Sequence, residues 1–169
     1  MIKLDHATLT KHMSYDPVTG VFTWVLPTTR RVRAGSVVGS DHSAGYLSTR
    51  LFGKHYYLHV LAWFYVHRVW PSVLIDHING NRKDNRLANL REATFSQNAA
   101  NGKKHSDNLS GFKGVRKMNN RYQARIFVDG KHIHIGTFDY PEEAASAYDA
   151  ASLKHFKDYA LTNSRNQEP

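Results

Sequence analysis

Cysteine is absent from the 169 residues of this sequence, and proline (5) and methionine (3) are scarce. The absence of cysteine excludes disulfide bonds, cysteine-ligated zinc or iron–sulfur sites and thiol nucleophiles. No apolar run approaches the ~18 residues that a membrane-spanning helix requires. The first residues lack the hydrophobic core of a signal peptide. We therefore expect a cytoplasmic protein that has no membrane partner.

Positive charge is what the sequence does have. It contains 23 Lys and Arg against 14 Asp and Glu, a net charge of +9. Residues 1–103 hold 13 basic and 6 acidic side chains (+7), whereas residues 104–169 hold 10 and 8 (+2). With 41% hydrophobic residues, the chain can form one ordinary domain or two small ones. A polyanion such as nucleic acid is the first candidate partner, and the alternative is that the charge serves solubility alone.

The polar segment 101–111 divides the chain into two parts of different texture. Its glycine, asparagine, serine and charged residues are typical of a linker. We therefore predict one domain over residues 1–103, a linker over 104–110 and a second domain over 111–165.

In the first domain, alternating apolar residues predict strands over 21–25 and 46–52. A hairpin turn is expected at Gly53-Lys54, and apolar residues at helical spacing predict a helix over 59–67.

In the second domain we predict three strands, over 114–117, 121–128 and 131–136. A tight turn at Asp129-Gly130 joins the last two. A helix rich in small residues follows, and Asp139 is a suitable residue to cap its first turn.

The stretch from residue 73 to residue 98 carries the residues best suited to chemistry. Asp76 and His77 end an apolar strand, and neighbours in a strand face opposite sides, so one can bind a metal while the other handles a proton. A turn at 79–81 leads to a return strand. Thr94 can then cap a helix whose first turn carries Asn98.

These residue types suit hydrolysis of a phosphodiester. Carboxylate and amide oxygens, as on Asp76 and Asn98, are hard ligands for Mg²⁺, with Mn²⁺ as a substitute. Neutral His77 can take a proton from an attacking water, because the ordinary histidine pKa of ~6.5 lies near neutral pH. By residue type alone, however, a cluster of Asn, Asp and Gly is equally well an ordinary loop.

The order and spacing of these residues resemble those of the HNH endonucleases, specifically the phage homing type. The shared pattern is Asp-His-Ile-x-Gly-Asn, Asp-Asn-Arg, Asn-Leu-Arg and Gln-Asn, within residues 75–101. The resemblance extends back to the Tyr-Asp-Pro-x-Thr-Gly sequence at 15–20 and includes His59-x-x-Ala-Trp63. It implies an α+β fold, in which a β-hairpin packs on a helix around one metal ion (a ββα-metal domain) behind an N-terminal β extension.

The resemblance also implies roles for individual residues. Asp76 and Asn98 are expected to be the metal ligands, and His77 the general base. Asn89 is expected to prop the hairpin loop and the base by hydrogen bonding. We expect His59 to support the catalytic residues rather than contact phosphate, while Asn85 and Asn101 are left with either kind of role.

The second part of the chain resembles the plant Apetala-two/ethylene-response-factor (ERF) DNA-binding domain. The matching sequences are Gly-Val-Arg at 114–116, Tyr-x-Ala-x-Ile at 122–126, Ile-Gly-Thr-Phe at 135–138 and the alanine-rich stretch at 142–151, with Asn163 at the end. The resemblance implies a small three-stranded antiparallel sheet backed by one helix, with the sheet docked in the major groove.

Seven positions match the DNA-contacting positions of that family: Lys113, Arg116, Met118, Arg125, Phe127, His132 and His134. We expect His132 and His134 to point outward and Ile133 and Ile135 inward. Several of these positions depart from the Arg and Trp of the plant pattern, so the plant target sequence does not carry over. The alternative is that residues 111–163 only pack against the first domain.

We therefore predict an endonuclease that depends on Mg²⁺ and acts on double-stranded DNA, of phage homing and nicking type. Arg82 and Arg86 are candidate phosphate contacts, as are Arg30, Arg31, Arg33, Lys54, Lys83 and Arg91. We expect a monomer rather than a dimer, no small-molecule substrate, and action in the host-cell cytoplasm if the protein is phage-encoded. The alternatives are a non-catalytic DNA-binding regulator and an RNA-processing enzyme.

Overall fold

The computed structural model describes residues 4–164. Contacts between Cα atoms divide the chain into two compact units, Met1–Glu92 and Ala93–Pro169. This division lies before the linker predicted over 104–110, so residues 93–103 fold with the second unit. Within the described part, no helix is both long and apolar enough to cross a membrane. The mixture of four α-helices and small antiparallel sheets in this part agrees with the α+β prediction.

The first unit consists of small antiparallel sheets and two helices. In chain order its elements are α1 His6–His12, β1 Met13–Asp16, β2 Val21–Trp24, β3 Ser40–Asp41, β4 Leu47–Leu51, β5 Lys54–Tyr57, α2 Leu58–His67, β6 Leu74–His77, a 3₁₀ turn Leu87–Asn89 and β7 Leu90–Ala93. Strand β1 pairs with β2, β4 lies between β3 and β5, and β6 pairs with β7. The core is formed by residues such as Leu9, Phe22, Leu51, Leu58 and Leu61.

Two tight turns shape this unit, and the one between β4 and β5 lies one residue before the predicted Gly53-Lys54 turn. Phe52 and Gly53 both have positive φ (50° and 79°), which is the backbone of a tight hairpin turn between β4 and β5. At the β1–β2 turn, a Cβ on Gly20 would lie 2.4 Å from the backbone N of Arg86. Glycine is therefore required there, because it lets the β1–β2 turn approach the backbone of residues 85–86.

The second unit is a three-stranded sheet covered by a helix. Its elements are α3 Phe95–Asn101, β8 Val115–Met118, β9 Arg121–Val128, β10 Lys131–Phe138, α4 Pro141–Phe156 and a 3₁₀ turn Lys157–Tyr159. Strand β9 lies between β8 and β10. Asp129 and Gly130 have φ of 48° and 81°, as expected for the predicted turn. Ala124 and Ile126 of β9 and Ala144 and Ala145 of α4 are buried together.

The start of α4 differs from the prediction. Tyr140 is the N-cap residue and makes no side-chain capping bond. The Asp139 carboxylate instead forms an ion pair with Arg121 Nε at 2.8 Å. The prediction that Asp139 caps this helix is therefore wrong. The predicted inward position of Ile133 is also only partly met. It pairs with Ile126, yet 42% of it is exposed.

Residues 104–110, predicted to be a linker, form an ordered turn beside β8. The Asn108 side-chain amide donates to the carbonyls of Phe112 and Val115 at 2.9 and 3.3 Å. The Ser110 hydroxyl donates to the Val115 carbonyl at 2.8 Å. These bonds fix the segment to the sheet, so it is part of the second unit.

Candidate functional site

The β6–β7 hairpin presents the two residues singled out in the sequence. Asp76 and His77 end β6, and both are buried, with 5% and 4% of their surface exposed. The Asn89 side chain makes two hydrogen bonds to the loop that connects the strands. It accepts from the backbone N of Asn79 at 3.0 Å and donates to the Asp84 carbonyl at 2.8 Å. In the structure Asn89 thus holds the hairpin loop.

A different asparagine contacts His77. The Nε2 atom of His77 lies 3.2 Å from Oδ1 of the buried Asn85. Asn85 is itself fixed, because its carbonyl accepts from the Tyr15 hydroxyl at 2.7 Å. Burial lowers the pKa of His77 below its ordinary value, although the Asn85 hydrogen bond and the Asp76 carboxylate act in the opposite direction. The ring is therefore held neutral near pH 7, with Nε2 towards Asn85.

Aromatic rings surround His77. The His59 ring meets it edge-on at 4.9 Å between centroids, and Tyr46 lies 4.9 Å from His59 and 5.9 Å from His77. Tyr57 stacks on His59 at 5.6 Å. Burial, followed by the neighbouring His77, lowers the pKa of His59 to about 3. His59 is consequently a neutral packing partner, and its Nδ1 has no hydrogen-bond partner among the described residues.

Asp76 is paired with a basic residue on the return strand. Its Oδ2 accepts from Arg91 Nε at 3.0 Å, and both side chains are largely buried. No group of three or more His, Asp or Glu side chains that could hold a metal occurs within residues 4–164. A metal here would therefore have few protein ligands and would depend on water and substrate oxygens for the rest.

Asn98 lies on α3, which begins as predicted. The Thr94 side chain accepts from the backbone N of Gln97, and the Gln97 side chain accepts from the backbone N of Thr94, which makes a capping box. The helix packs within the second unit: Ala100 joins the core of that unit, and the Ala100 carbonyl accepts from the backbone N of Leu161 at 3.1 Å. Asp76 and His77 thus belong to one unit and Asn98 to the other.

Most of the predicted DNA contacts of the second unit share one face of its sheet. The strand register pairs Arg116 with Gln123, Met118 with Arg121, His132 with Phe127 and His134 with Arg125. Alternate residues of β9 therefore lie on the same side as the paired residues of β8 and β10. We call this the outer face, and its predicted members are Arg116, Met118, Arg125, Phe127, His132 and His134.

Lys113 does not belong to the outer face. Only 8% of it is exposed, and its ammonium donates to the Ala100 carbonyl. Its backbone N donates to the Asn163 side chain at 2.7 Å. The side chain thus points inward and ties α3 to the start of β8, which corrects its prediction as an exposed contact.

Arg82 and Arg86, two of the basic residues predicted as phosphate contacts of the first unit, have protein partners. Arg86 donates to both carboxylate oxygens of Asp84, at 2.8 and 2.6 Å. Arg82 donates to the Ala44 carbonyl at 2.7 Å and lies over the Tyr46 ring at 4.9 Å. Both remain exposed, so their outer edges face solvent.

Three residues of this site make contacts that the sequence analysis did not predict. Asn85 contacts His77, Tyr46 packs on both histidines, and Arg91 pairs with Asp76. Asn85 and Arg91 stand within the Asp-Asn-Arg and Asn-Leu-Arg sequences, so the motif contains a signal for them. Tyr46 lies far away in the sequence, and only the position of β4 shows its contact.

Comparison with known proteins identifies relatives of each half of the chain. A family model described as HNH endonuclease matches residues 56–100. An uncharacterized HNH endonuclease of Acanthamoeba polyphaga mimivirus is 34% identical over 97 residues, which are 57% of this chain and 50% of that protein. An AP2/ERF and B3 domain-containing transcription factor of Arabidopsis thaliana is 46% identical over 48 residues, 28% of this chain and 14% of that protein. The chain thus spans half the length of the viral relative and a small part of the plant one.

Proposed function

We propose that this protein is a metal-dependent DNA endonuclease that hydrolyses phosphodiester bonds. The buried His77, held through Nε2 by Asn85, is the observation that carries the proposal. The match of residues 56–100 to the HNH endonuclease model supports it. The similarity of the second half to plant transcription factors supports DNA as the substrate.

The hydrogen bond to Asn85 decides which atom of His77 acts. When Nε2 carries the hydrogen and donates it to Asn85 Oδ1, Nδ1 keeps its lone pair and is the base. A water molecule loses a proton to Nδ1 while its oxygen attacks phosphorus. The bond from phosphorus to the 3′ oxygen breaks, and the departing 3′ oxygen takes a proton from solvent water, which leaves a 3′-hydroxyl and a 5′-phosphate.

The proposed metal ligands are Asp76 and Asn98. Their carboxylate and amide oxygens fit Mg²⁺, with Mn²⁺ as a substitute, since both ions prefer oxygen ligands. A bound metal would stabilise the negative charge that develops on the phosphate. Arg91 then serves to neutralise and orient the Asp76 carboxylate, while His59 and Tyr46 hold the His77 ring in place.

The outer face of the second unit is the proposed docking surface for duplex DNA. Arg116 and Arg125 can contact guanine edges or phosphates, and Phe127 packs against His132 at 5.1 Å between ring centroids. With one proposed active site per chain, a monomer would cut one strand.

Plasmid nicking tests the proposal. We expect the protein with Mg²⁺ to convert supercoiled plasmid to open circles, and EDTA to stop the reaction. His77→Ala should abolish nicking without loss of DNA binding, and His155→Ala, an exposed histidine on α4, is the matched control. Undiminished nicking by His77→Ala would refute the mechanism. DNA binding by the wild type with no cutting under any divalent metal would favour a non-catalytic regulator.

A further inference from the structure

A polar cleft in the first unit lies apart from the residues around His77. It has a volume of about 500 Å³, and its walls come from the end of β2, the segment 28–40 and strand β4. Neither Asp76, His77, His59 nor Asn85 lines it. The proposed hydrolytic chemistry therefore leaves this cleft without a role.

Three arginines give the cleft its charge. Arg31, Arg33 and Arg50 line it, no carboxylate does so, and all three are exposed. Among the described residues, none of the three forms an ion pair, whereas Arg86, Arg91 and Arg121 each pair with an aspartate. The cleft thus combines three unneutralised guanidinium groups in one concave surface, where their fields add.

Hydroxyl groups provide further donors. Thr28, Thr29 and Ser40 line the same cleft and are exposed, and no side-chain hydrogen bond of theirs is found within residues 4–164. Guanidinium and hydroxyl groups are the side-chain donors that proteins use to bind phosphate oxygens along a nucleic acid backbone. The absence of carboxylates leaves no group in the cleft that would repel such a ligand.

The backbone around the cleft is ordered by hydrogen bonds. The backbone N of Trp24 donates to the Ser36 carbonyl at 2.9 Å, and the backbone N of Gly35 donates to the Trp24 carbonyl at 2.7 Å. The Ser36 hydroxyl donates to the Arg33 carbonyl at 2.6 Å. Segment 35–38 thus runs beside β2, which fixes the base of the loop that carries Arg31 and Arg33.

We propose that this cleft binds the phosphodiester backbone of a DNA strand, outside the bond that is cut. The proposal rests on the proposed function, because it takes DNA as the substrate. A nuclease must hold the strand on either side of the scissile phosphate to position that phosphate. Contacts to the neighbouring phosphates hold the strand in this way and do not depend on the base sequence.

Equilibrium binding separates the cleft from overall charge. The test variant combines Arg31→Gln, Arg33→Gln and Arg50→Gln. The control variant combines Lys11→Gln, Arg68→Gln and Lys154→Gln, three exposed residues outside the cleft. Each variant lowers the net charge from +9 to +6 (9 − 3). A labelled 30-base-pair duplex is titrated in EDTA, which prevents cutting, at several salt concentrations, and circular dichroism checks that each variant is folded.

We expect the cleft variant to bind roughly 10- to 100-fold more weakly at 0.1 M salt, with a slope of log K against log salt lower by about 2 to 3. The control should lose much less. Equal losses in both variants would overturn the proposal even if the wild type nicks plasmid, whereas a wild type that binds no DNA would overturn the proposed function itself.

Two further measurements test whether the charge of the cleft binds the DNA backbone. The triple Arg→Lys variant keeps the charges and should retain most of the salt dependence. Hydroxyl-radical footprinting should show that the Arg→Gln variant loses protection of a few backbone positions while other protection persists. Tripolyphosphate that competes as strongly as the duplex would overturn the proposal in favour of a small-polyanion site.

Discussion

Burial of the Lys113 ammonium should make the stability of the second unit depend on alkaline pH. Removal from water lowers its pKa from 10.5 to about 8, with the Asp149 carboxylate acting in the opposite direction. The ammonium is held by the Ala100 carbonyl, and only 8% of the residue is exposed. We consider Lys113→Met, which keeps an unbranched apolar chain and removes the titrating group.

The sign follows from comparing the folded and unfolded chains. Below pH 8 Lys113 is charged in both, so the folded protein bears the full cost of burying the charge. Between pH 8 and 10.5 the unfolded chain binds more protons than the folded one, so the free energy of unfolding rises with pH. The pKa difference of about 2.5 (10.5 − 8) corresponds to a gain of about 3 kcal/mol relative to Lys113→Met.

Unfolding of the second unit must be observed selectively. The three tryptophans (residues 24, 63 and 70) all belong to the first unit, so their fluorescence does not report on the second. The methyl NMR signals of labelled alanines report on the second unit, because Ala124 and Ala144 are fully buried in its core. Guanidinium chloride unfolding at pH 7, 9 and 10.5 gives the free energy for each variant.

The comparison between variants isolates Lys113. Ionisation of tyrosines, including the buried Tyr148 whose pKa burial raises to about 12, affects both proteins equally and cancels. A difference in unfolding free energy that stays constant from pH 7 to 10.5 would refute the assignment of Lys113 as a buried internal group. Lys113 would then again be a candidate for an exposed DNA contact.

Three other changes test the remaining structure. Asn85→Ala should lower the nicking rate roughly 10- to 100-fold while DNA affinity is unchanged, because it releases His77; an unchanged rate would show that the hydrogen bond has no role. Gly114→Ala should destabilise the second unit by more than about 2 kcal/mol, because Gly114 has φ +74° and an added Cβ would lie 1.9 Å from the Tyr148 ring; alanine NMR during denaturation measures this. Deletion of residues 108–169 should abolish cutting, because it removes the core on which α3 packs; metal-dependent nicking by the truncated chain would contradict the proposed role of that helix.

Local patterns in the sequence predicted most of the elements. The alternation in β9 was sufficient because one face of that strand is buried and the other is not, and the predicted range 121–128 agrees with the structure. The Thr94 cap was predictable because capping depends on residues three positions apart. The turns at 52–53 and 129–130 follow from glycine in a hairpin, so each depends on neighbours in the chain.

The roles that were not predicted correctly depend on contacts between distant parts of the chain. Lys113 precedes a strand, and nothing local shows that its ammonium meets the Ala100 carbonyl. Asp139 has the right type for a helix cap, but Arg121 on β9 competes for its carboxylate. Asn85 was identified within the motif, yet its bond to His77 depends on how the loop closes over the β1–β2 turn. In each case the partner, rather than the residue type, decided the role.

Helix α3 shows why the boundary of a sequence motif and the boundary of a folding unit differ here. The HNH sequence pattern ends with Gln97 and Asn98 on this helix, because Asn98 is expected to bind the metal. A helix of seven residues is not stable alone, so its position depends on what packs against it. Ser96 Oγ accepts from the backbone N of Asp129 at 3.0 Å, and the Phe95 ring meets Phe127 at 6.2 Å. The residues that fix the proposed metal ligand thus come from the module proposed to dock on DNA, so separating a cutting part from a docking part at residue 103 would divide a single core.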